Sequence, residues 1–379
     1  ILVTDSNHGA TENDFVTFSG AATLGGNFTA SVLNQNYQVI AVETADTYTI
    51  TAKSFSEDTL KFTNVASTSS DSGNGGSSVV GAYELTTTAT SSTELTGWGA
   101  GGWGAGPWSS GEQSTEVLRL WAQTNFGEDL IFGPRGGRLY YWDATNGVGS
   151  RAVELSSRSG ASDVPVVQNL ILVSDISRFV FCFGTNEIGS DTIDPTLLRW
   201  SDQEDATNWT PSATNQAGSL RLSRGTKIVS AKTARQEVLV WTDSSLYSLQ
   251  YVGAPSVWTA TLVGENISIS SQNAVAYANG VAYWMGKDKF YIYDGRTQTL
   301  KCDVRKYVFN DLDTNQFAQV VAGTNEGFHE IWWFYCSSGS TTIDRYVIYN
   351  YLEKIWYYGT LARTAWLDSG LRDKPLAAT

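Results

Sequence analysis

AVAYANGVAYWMGKDKFYIYDG, residues 274–295, holds three strand-like runs of four to five residues, joined at Asn279-Gly280 and at Gly286 to Asp288. Asn-Gly between apolar runs is the strongest short hairpin signal, because a two-residue type I′ turn needs positive φ at both central positions. The segment therefore reads as an antiparallel meander. Its last run, YIYD at 291–294, is one of five similar signatures; the others are YYWD at 140–143, RWSD at 199–202, YSLQY at 247–251 and YVIYN at 346–350. With Trp142, Trp200, Leu249, Tyr293 and Tyr349 as equivalent points on the second strand of each hairpin, the motif recurs about every fifty residues. That is the length of one four-stranded propeller blade plus a variable loop. The expected fold class is all-β: an irregular β-propeller with an inserted small β-barrel domain.

Composition agrees with many short strands. The chain has 379 residues, 41% apolar and 12% aromatic, enough to bury sizeable cores, with 36 glycines for tight turns and only seven prolines. No segment sustains a helical period. Cys182, Cys302 and Cys336 are an odd, sparse set in strand-like surroundings, which reads as small core residues made in a reducing compartment rather than a disulfide framework. A net charge of −13, with 25 Lys and Arg scattered singly, disfavours tight binding to nucleic-acid phosphates. No apolar run approaches the roughly 20 residues of a membrane helix, so no membrane insertion is expected. No cofactor is implied.

Five regions follow. Residues 1–11 read as the end of a strand belonging to a missing upstream part, since the chain opens abruptly on ILVTD. Residues 12–66 read as a small barrel with short half-buried strands, marked by alternation in Phe15, Thr17 and in Tyr48, Ile50. Residues 67–112 shift to Ser, Thr and Gly, as a linker, and then to GWGAGGWGAGPW. There Trp98, Trp103 and Trp108 recur every five residues between glycines, a spacing that cannot hold a helix and that suits indoles plugged into a neighbouring surface. A sugar-stacking strip is the alternative. Residues 113–365 carry the blades, and 366–379 form a C-terminal extension.

Catalytic constellations are sparse. His8 and His329 are the only histidines, which leaves few ways to assemble a Ser-His-Asp or Cys-His set. No CxxC or HxxxH occurs for a metal, and DLDTN at 311–315 lacks the Gly and Glu of a calcium loop, so it reads as a polar turn. SDQEDATNW, 201–209, keeps only the Ser201 and Trp209 places of a sialidase-type Asp-box, itself a structural turn. The expectation is therefore of no enzymatic activity. A propeller glycosidase would require two carboxylates facing each other across one cleft.

Several strings in order resemble one family, the tail nozzle or tail tubular protein B of short-tailed bacteriophages, which includes an irregular propeller. They are GWGAGGWGAGPW (97–108), FGEDLIFGPRGGRLYYWD (126–143), RWSDQEDATNWTPS (199–212), RQEVLVWTDSSLYSLQY (235–251), VAYWMGKDKFYIYDG (281–295) and EIWWFYCSSGSTTIDRYVIYNYLEKIWYYG (330–359). Val16 to Gly20, Leu33 to Val39 and Thr47 to Ile50 resemble the strands of an FCCH domain of ubiquitin-activating enzymes, a likeness of fold that transfers no ubiquitin chemistry. The family resemblance implies a structural virion protein, assembled in the host cytoplasm into a homohexameric ring at the distal end of the tail. It also implies partners in tail adaptor and fibre proteins, and passage of DNA through the ring without specific binding. A negative wall would not hold phosphates. Trp98, Trp103, Trp108, Trp332 and Trp333 are the candidate subunit-interface residues, with blade cores as the alternative for Trp332 and Trp333. The rival functional readings are a host-surface polysaccharide-binding adhesin and a glycosidase.

Overall fold

The computed structural model describes residues 1–6, 8–10, 14–56, 61–84, 118, 120–147, 150, 152–174, 177–368 and 374–378. The chain divides into two compact units, residues 1–87 and 88–379.

In the first unit, Leu2–Thr4, Thr47–Ile50, Asn36–Thr44, Phe15–Ser19 and Val80–Glu84 lie side by side in that order as one antiparallel sheet. Val16, Phe18, Tyr37, Val39, Tyr48 and Ile50 form its core. Phe15 is exposed, because the period of two sends Val16 and Phe18 inward instead. Two expectations change here. The edge strands Leu2–Thr4 and Val80–Glu84 do not pair with each other, so among the described residues the sheet is open rather than a closed barrel. The unit also extends past 12–66 at both ends, since residues 2–4 pair with 47–49 and residues 80–84 with 15–19.

The Ser/Gly-rich stretch after residue 66 is tied into this unit by Asp71. Its carboxylate accepts hydrogen bonds from the backbone N–H of Gly26 (3.0 Å), Phe28 (2.9 Å) and Thr68 (2.8 Å) and from the Thr68 hydroxyl (3.0 Å). A polar linker composition thus hides a loop clamp. His8 is buried against Tyr48; its Nδ1 accepts from Ala10 N–H, which leaves Nε2–H to donate to the Thr44 carbonyl at 3.3 Å.

Among its described residues the second unit contains five four-stranded antiparallel sheets, each a meander in chain order. Blade I comprises Trp121–Phe126, Asp129–Pro134, Tyr140–Trp142 and Val153–Glu154. Blade II comprises Gln168–Val173, Val180–Asn186, Ile193–Trp200 and Gly218–Arg221. Ile228–Thr233, Val238–Thr242, Ser245–Gly253 and Val257–Glu265 make blade III. Blade IV is Val275–Ala278, Val281–Met285, Phe290–Tyr293 and Thr297–Leu300. Blade V is Val321–Asn325, Glu330–Tyr335, Arg345–Asn350 and Ile355–Thr360. The first strand of each blade packs against the first strand of the next. One cavity is lined by residues of or next to blades I to IV and by the segment that leads into blade V, so the sheets stand around a common axis. This is an all-β propeller.

Trp142, Trp200, Leu249, Tyr293 and Tyr349 all fall on the third strand of their blades, so the repeat marks true structural equivalents. The hairpin whose second strand carries each signature is the middle pair of a four-stranded sheet. Asn279 (φ +50°) and Gly280 (φ +80°) form the positive-φ turn between the first two strands of blade IV. Adjacent blades are joined by aromatic side chains: Phe181 meets Trp258 edge-on at 5.0 Å, Trp241 meets Trp284 at 5.4 Å, and Phe290 meets Trp333 at 4.9 Å. Near the axis, backbone bonds add to this, as from Ala322 N–H to the Asn273 carbonyl at 2.7 Å.

A seven-residue helix, Arg305–Asp311, lies between blades IV and V. Val308 is its one buried residue, so no helical period could accumulate. After blade V, the hairpin Ala365–Leu367 with Leu376–Ala378 packs against strand Val321–Asn325, where the first strand of a further blade would lie. The C-terminal extension is thus docked on the propeller. Trp366 anchors it, stacking on Trp332 at 5.3 Å and donating from Nε1–H to the Thr324 carbonyl at 2.7 Å.

Two outcomes follow from these contacts. A Cβ on Gly323 would lie 2.3 Å from Cδ1 of Trp366, so Gly323→Ala should displace the indole and cost about 1–3 kcal/mol, seen as a lower denaturant midpoint and new protease cleavage near residue 365. Desolvation works to raise the Asp71 pKa, but the hydrogen bonds from Phe28 and Thr68 outweigh it and hold the carboxyl at about 2. A depressed folded pKa gives stability that is fully present above the unfolded value near 4 and lost as pH falls toward 2. Hydrogen-exchange protection at the Phe28 and Thr68 amides should drop across that window in the native chain and be low and pH-independent in Asp71→Asn.

Candidate functional site at the propeller axis

The loops that join the second and third strands of each blade lie at the same end as the loops that lead into the first strands. That end opens into a cavity of about 640 Å³ on the axis. Each blade contributes through a turn or strand start: Arg135 from the Pro134 to Gly137 bend of blade I, Asn169 from blade II, Lys227 and Asp243 from blade III, Lys287 from the Gly286 to Asp288 turn of blade IV, and Asn315 from the approach to blade V. The turns are built locally. Gly137 N–H returns to the Pro134 carbonyl at 3.0 Å, and Gly286 N–H to the Lys289 carbonyl at 2.8 Å, which leaves Arg135 and Lys287 at the tips.

Three cations and one carboxylate therefore face one cavity. Asp243 accepts from the Thr226 N–H at 2.8 Å and the Thr226 hydroxyl at 2.6 Å. Desolvation opposes it, yet these bonds hold the carboxyl below its ordinary range. Arg135 donates from Nη2 to the Leu118 carbonyl at 2.8 Å, and its burial lowers its pKa. Among the described residues, Arg135, Lys227 and Lys287 make no ion pair, whereas Arg138, Arg221, Arg224, Arg305 and Arg345 elsewhere in the propeller all do. Sequence reading missed this group because its members are far apart in the chain. Superimposing the five repeats would have found Arg135, Asp243 and Lys287 in the same second-to-third-strand turn.

A second cleft of about 390 Å³ lies between blades III and IV, lined by Arg235, Glu237, Gln250, Tyr277, Tyr293 and Asp294 among others. Glu237 accepts hydrogen bonds from the Ser248 hydroxyl and, at 3.5 Å, from the Tyr293 hydroxyl. Burial, and then the Glu237 charge, push the Tyr293 pKa up to about 12.

The residues singled out in the sequence are dispersed. Trp98, Trp103 and Trp108 lie outside the described residues. Trp333 has no exposed surface and donates from Nε1–H to the Ala274 carbonyl at 3.0 Å, so it is a blade-core residue with nothing to offer a partner subunit. Trp332 is half-buried, covered by Phe334, Tyr346 and Trp366, and its Nε1–H donates to Glu330 at 3.0 Å. His329 is exposed beside Tyr351. Residues 201–209 form the connection after the third strand of blade II, with Trp209 buried and donating to the Ala206 carbonyl at 2.8 Å, and Asp205 accepting from Thr207. In 311–315, Asp311 ends the helix and Asp313 caps the following 3₁₀ turn by accepting from Asn315 N–H.

Cys182 and Cys336 are buried and Cys302 half-buried, all three free; burial pushes the Cys302 and Cys336 thiols up to about 12. Among the described residues, no three His, Cys, Asp or Glu side chains converge as a metal would need, and no helix is long and apolar enough to cross a membrane.

No protein-family model and no curated protein matches the chain. Among solved structures it is similar to the computationally designed protein Ika8, at 11% identity and a TM-score of 0.39 over 68% of this chain and 66% of that one. It is also similar to Hsv2p of Kluyveromyces lactis, at 11% identity and a TM-score of 0.35 over 65% of each chain. A Synechocystis apocarotenoid oxygenase variant aligns at 7% identity and a TM-score of 0.34, over 66% of this chain and 61% of that one.

Proposed function

We propose that this chain is a structural virion protein, the tail nozzle of a short-tailed bacteriophage, that assembles into a ring for DNA ejection and docks adaptor or fibre proteins on its outer faces. The observation that carries this reading is positional. Five of the six segments that resemble the tail nozzle family, from residue 126 to 359, run in order through blades I to V of one propeller. Rigid blades suit a ring wall that must keep its bore during DNA passage, and a net charge of −13 suits a bore that does not retain phosphates.

A surface for the ring contact is present on blade V. Among the described residues its last strand, Ile355–Thr360, pairs on one side only, with Arg345–Asn350, and exposes Ile355, Tyr357 and Tyr358. Tyr307 from the short helix packs against Tyr358, ring centroids 4.4 Å apart and tilted by 40°, and Leu352 in the turn before the strand is 67% exposed. Ile355 and Tyr357 share one face of this strand, since side chains alternate along it, and an open strand edge with exposed aromatic and aliphatic side chains is a template for another chain. In this reading a second copy covers it.

Native mass measurement on the purified full chain should give a closed oligomer, a hexamer by the family resemblance, and Ile355→Lys with Tyr357→Lys should give monomers of unchanged melting temperature. A wild-type chain that stays monomeric at tens of micromolar, or is absent from the tail in images of particles, would remove the proposal.

One observation favours a second reading, a polysaccharide-binding adhesin or propeller glycosidase: Glu237 and Asp294 line one cleft together with Tyr277 and Tyr293. On the nozzle reading, capsular and lipopolysaccharide glycans should be neither cleaved nor retained by the protein. Glycan hydrolysis or binding that disappears in Glu237→Gln would instead support the adhesin or glycosidase.

A further inference from the structure

We propose that the axial cavity is a binding site for a compact multivalent oxyanion of the polyphosphate class. The chain has 38 acidic and 25 basic residues, so a cavity assembled without regard to charge would be acidic. This one gathers Arg135, Lys227 and Lys287 against Asp243 alone. Like charges converging on one space repel, and a carboxylate partner relieves such repulsion at other places in this propeller, as in Arg221 with Glu187 and Asp194 or Arg345 with Asp311. The axial cations lack that remedy. Asp288, the acid next to Lys287, is turned to Arg305, which holds its carboxylate at 3.6 Å and its carbonyl at 2.8 Å. Asp243 is oriented by Thr226 and stays charged, so it offsets one of the three cations and leaves an excess of two positive charges.

The cavity also has the remaining chemistry of an oxyanion site. Asn169, Gln272 and Asn315 also line it, residue types whose amides carry donors that suit phosphate oxygens, while the lysines are point charges and the guanidinium is held in place by its bond to the Leu118 carbonyl. A volume of about 640 Å³ is too large for one phosphate and admits a chain of two or three. Because all five blades meet there, an occupant would brace the ring of sheets at its centre. The site does not depend on the nozzle reading, since every group belongs to one propeller.

Calorimetry on the full-length protein with tripolyphosphate, at low and physiological salt, tests this. One saturable site per chain is expected, weakening as salt rises, with pyrophosphate weaker and acetate without effect. Lys227→Ala with Lys287→Ala should weaken tripolyphosphate by about tenfold or more, while Lys→Arg at both positions and a control pair, Lys301→Ala with Lys306→Ala, should leave it within about twofold. Should the alanine pair fold poorly, difference density for tungstate between Arg135, Lys227 and Lys287 in the wild-type protein decides the matter. No saturable binding at millimolar tripolyphosphate, equal loss in the control pair, or tungstate bound elsewhere only, would each overturn the proposal.

Discussion

Aromatic packing between the faces of neighbouring blades is the interaction on which the second unit depends. A four-stranded sheet with two apolar faces cannot be stable alone in water, because each buried aromatic contributes about 1.5–3 kcal/mol only when a neighbour covers it. Trp258 of blade III covers Phe181 of blade II, Trp284 of blade IV meets Trp241 of blade III, and Trp333 of blade V meets Phe290 of blade IV. Each sheet is thus the other half of the next one's core. The same demand explains the docked C-terminal hairpin, whose Trp366 covers the Trp332 face left open on blade V.

This arrangement places function on loops and edges rather than in the sheets. Strands such as Val238–Thr242, buried along their whole length, have no side chain to spare for chemistry. What remains accessible are the turn tips around the axis, the cleft between blades III and IV, and the outer strand of blade V. A stiff frame holds these surfaces at fixed separations, which would suit the proposed ring contact and the proposed axial anion site.

Much of the fold was legible. The aromatic signatures mark equivalent third strands because each blade needs large side chains there to fill its packed faces, and Asn279-Gly280 names its own turn through positive φ. Other features were hidden for physical reasons. Leu2–Thr4 and Val80–Glu84 belong to the first unit by pairing with strands more than forty residues away, a relation with no local trace. The loop around Asp71 has the composition of a linker, yet one carboxylate meeting three backbone N–H groups makes it structure.

Local chemistry along the chain therefore determined the class of fold, the blade repeat, the turns and the strand aromatics, since alternation and turn residues act over a few neighbours. Tertiary structure alone decided which tryptophan is core and which is covered by a hairpin, where the first unit ends, and that Arg135, Lys227 and Lys287 share one cavity. Charges scattered singly in sequence become a cluster when five turns are brought round one axis, because proximity in a propeller follows the angle between blades and not distance along the chain.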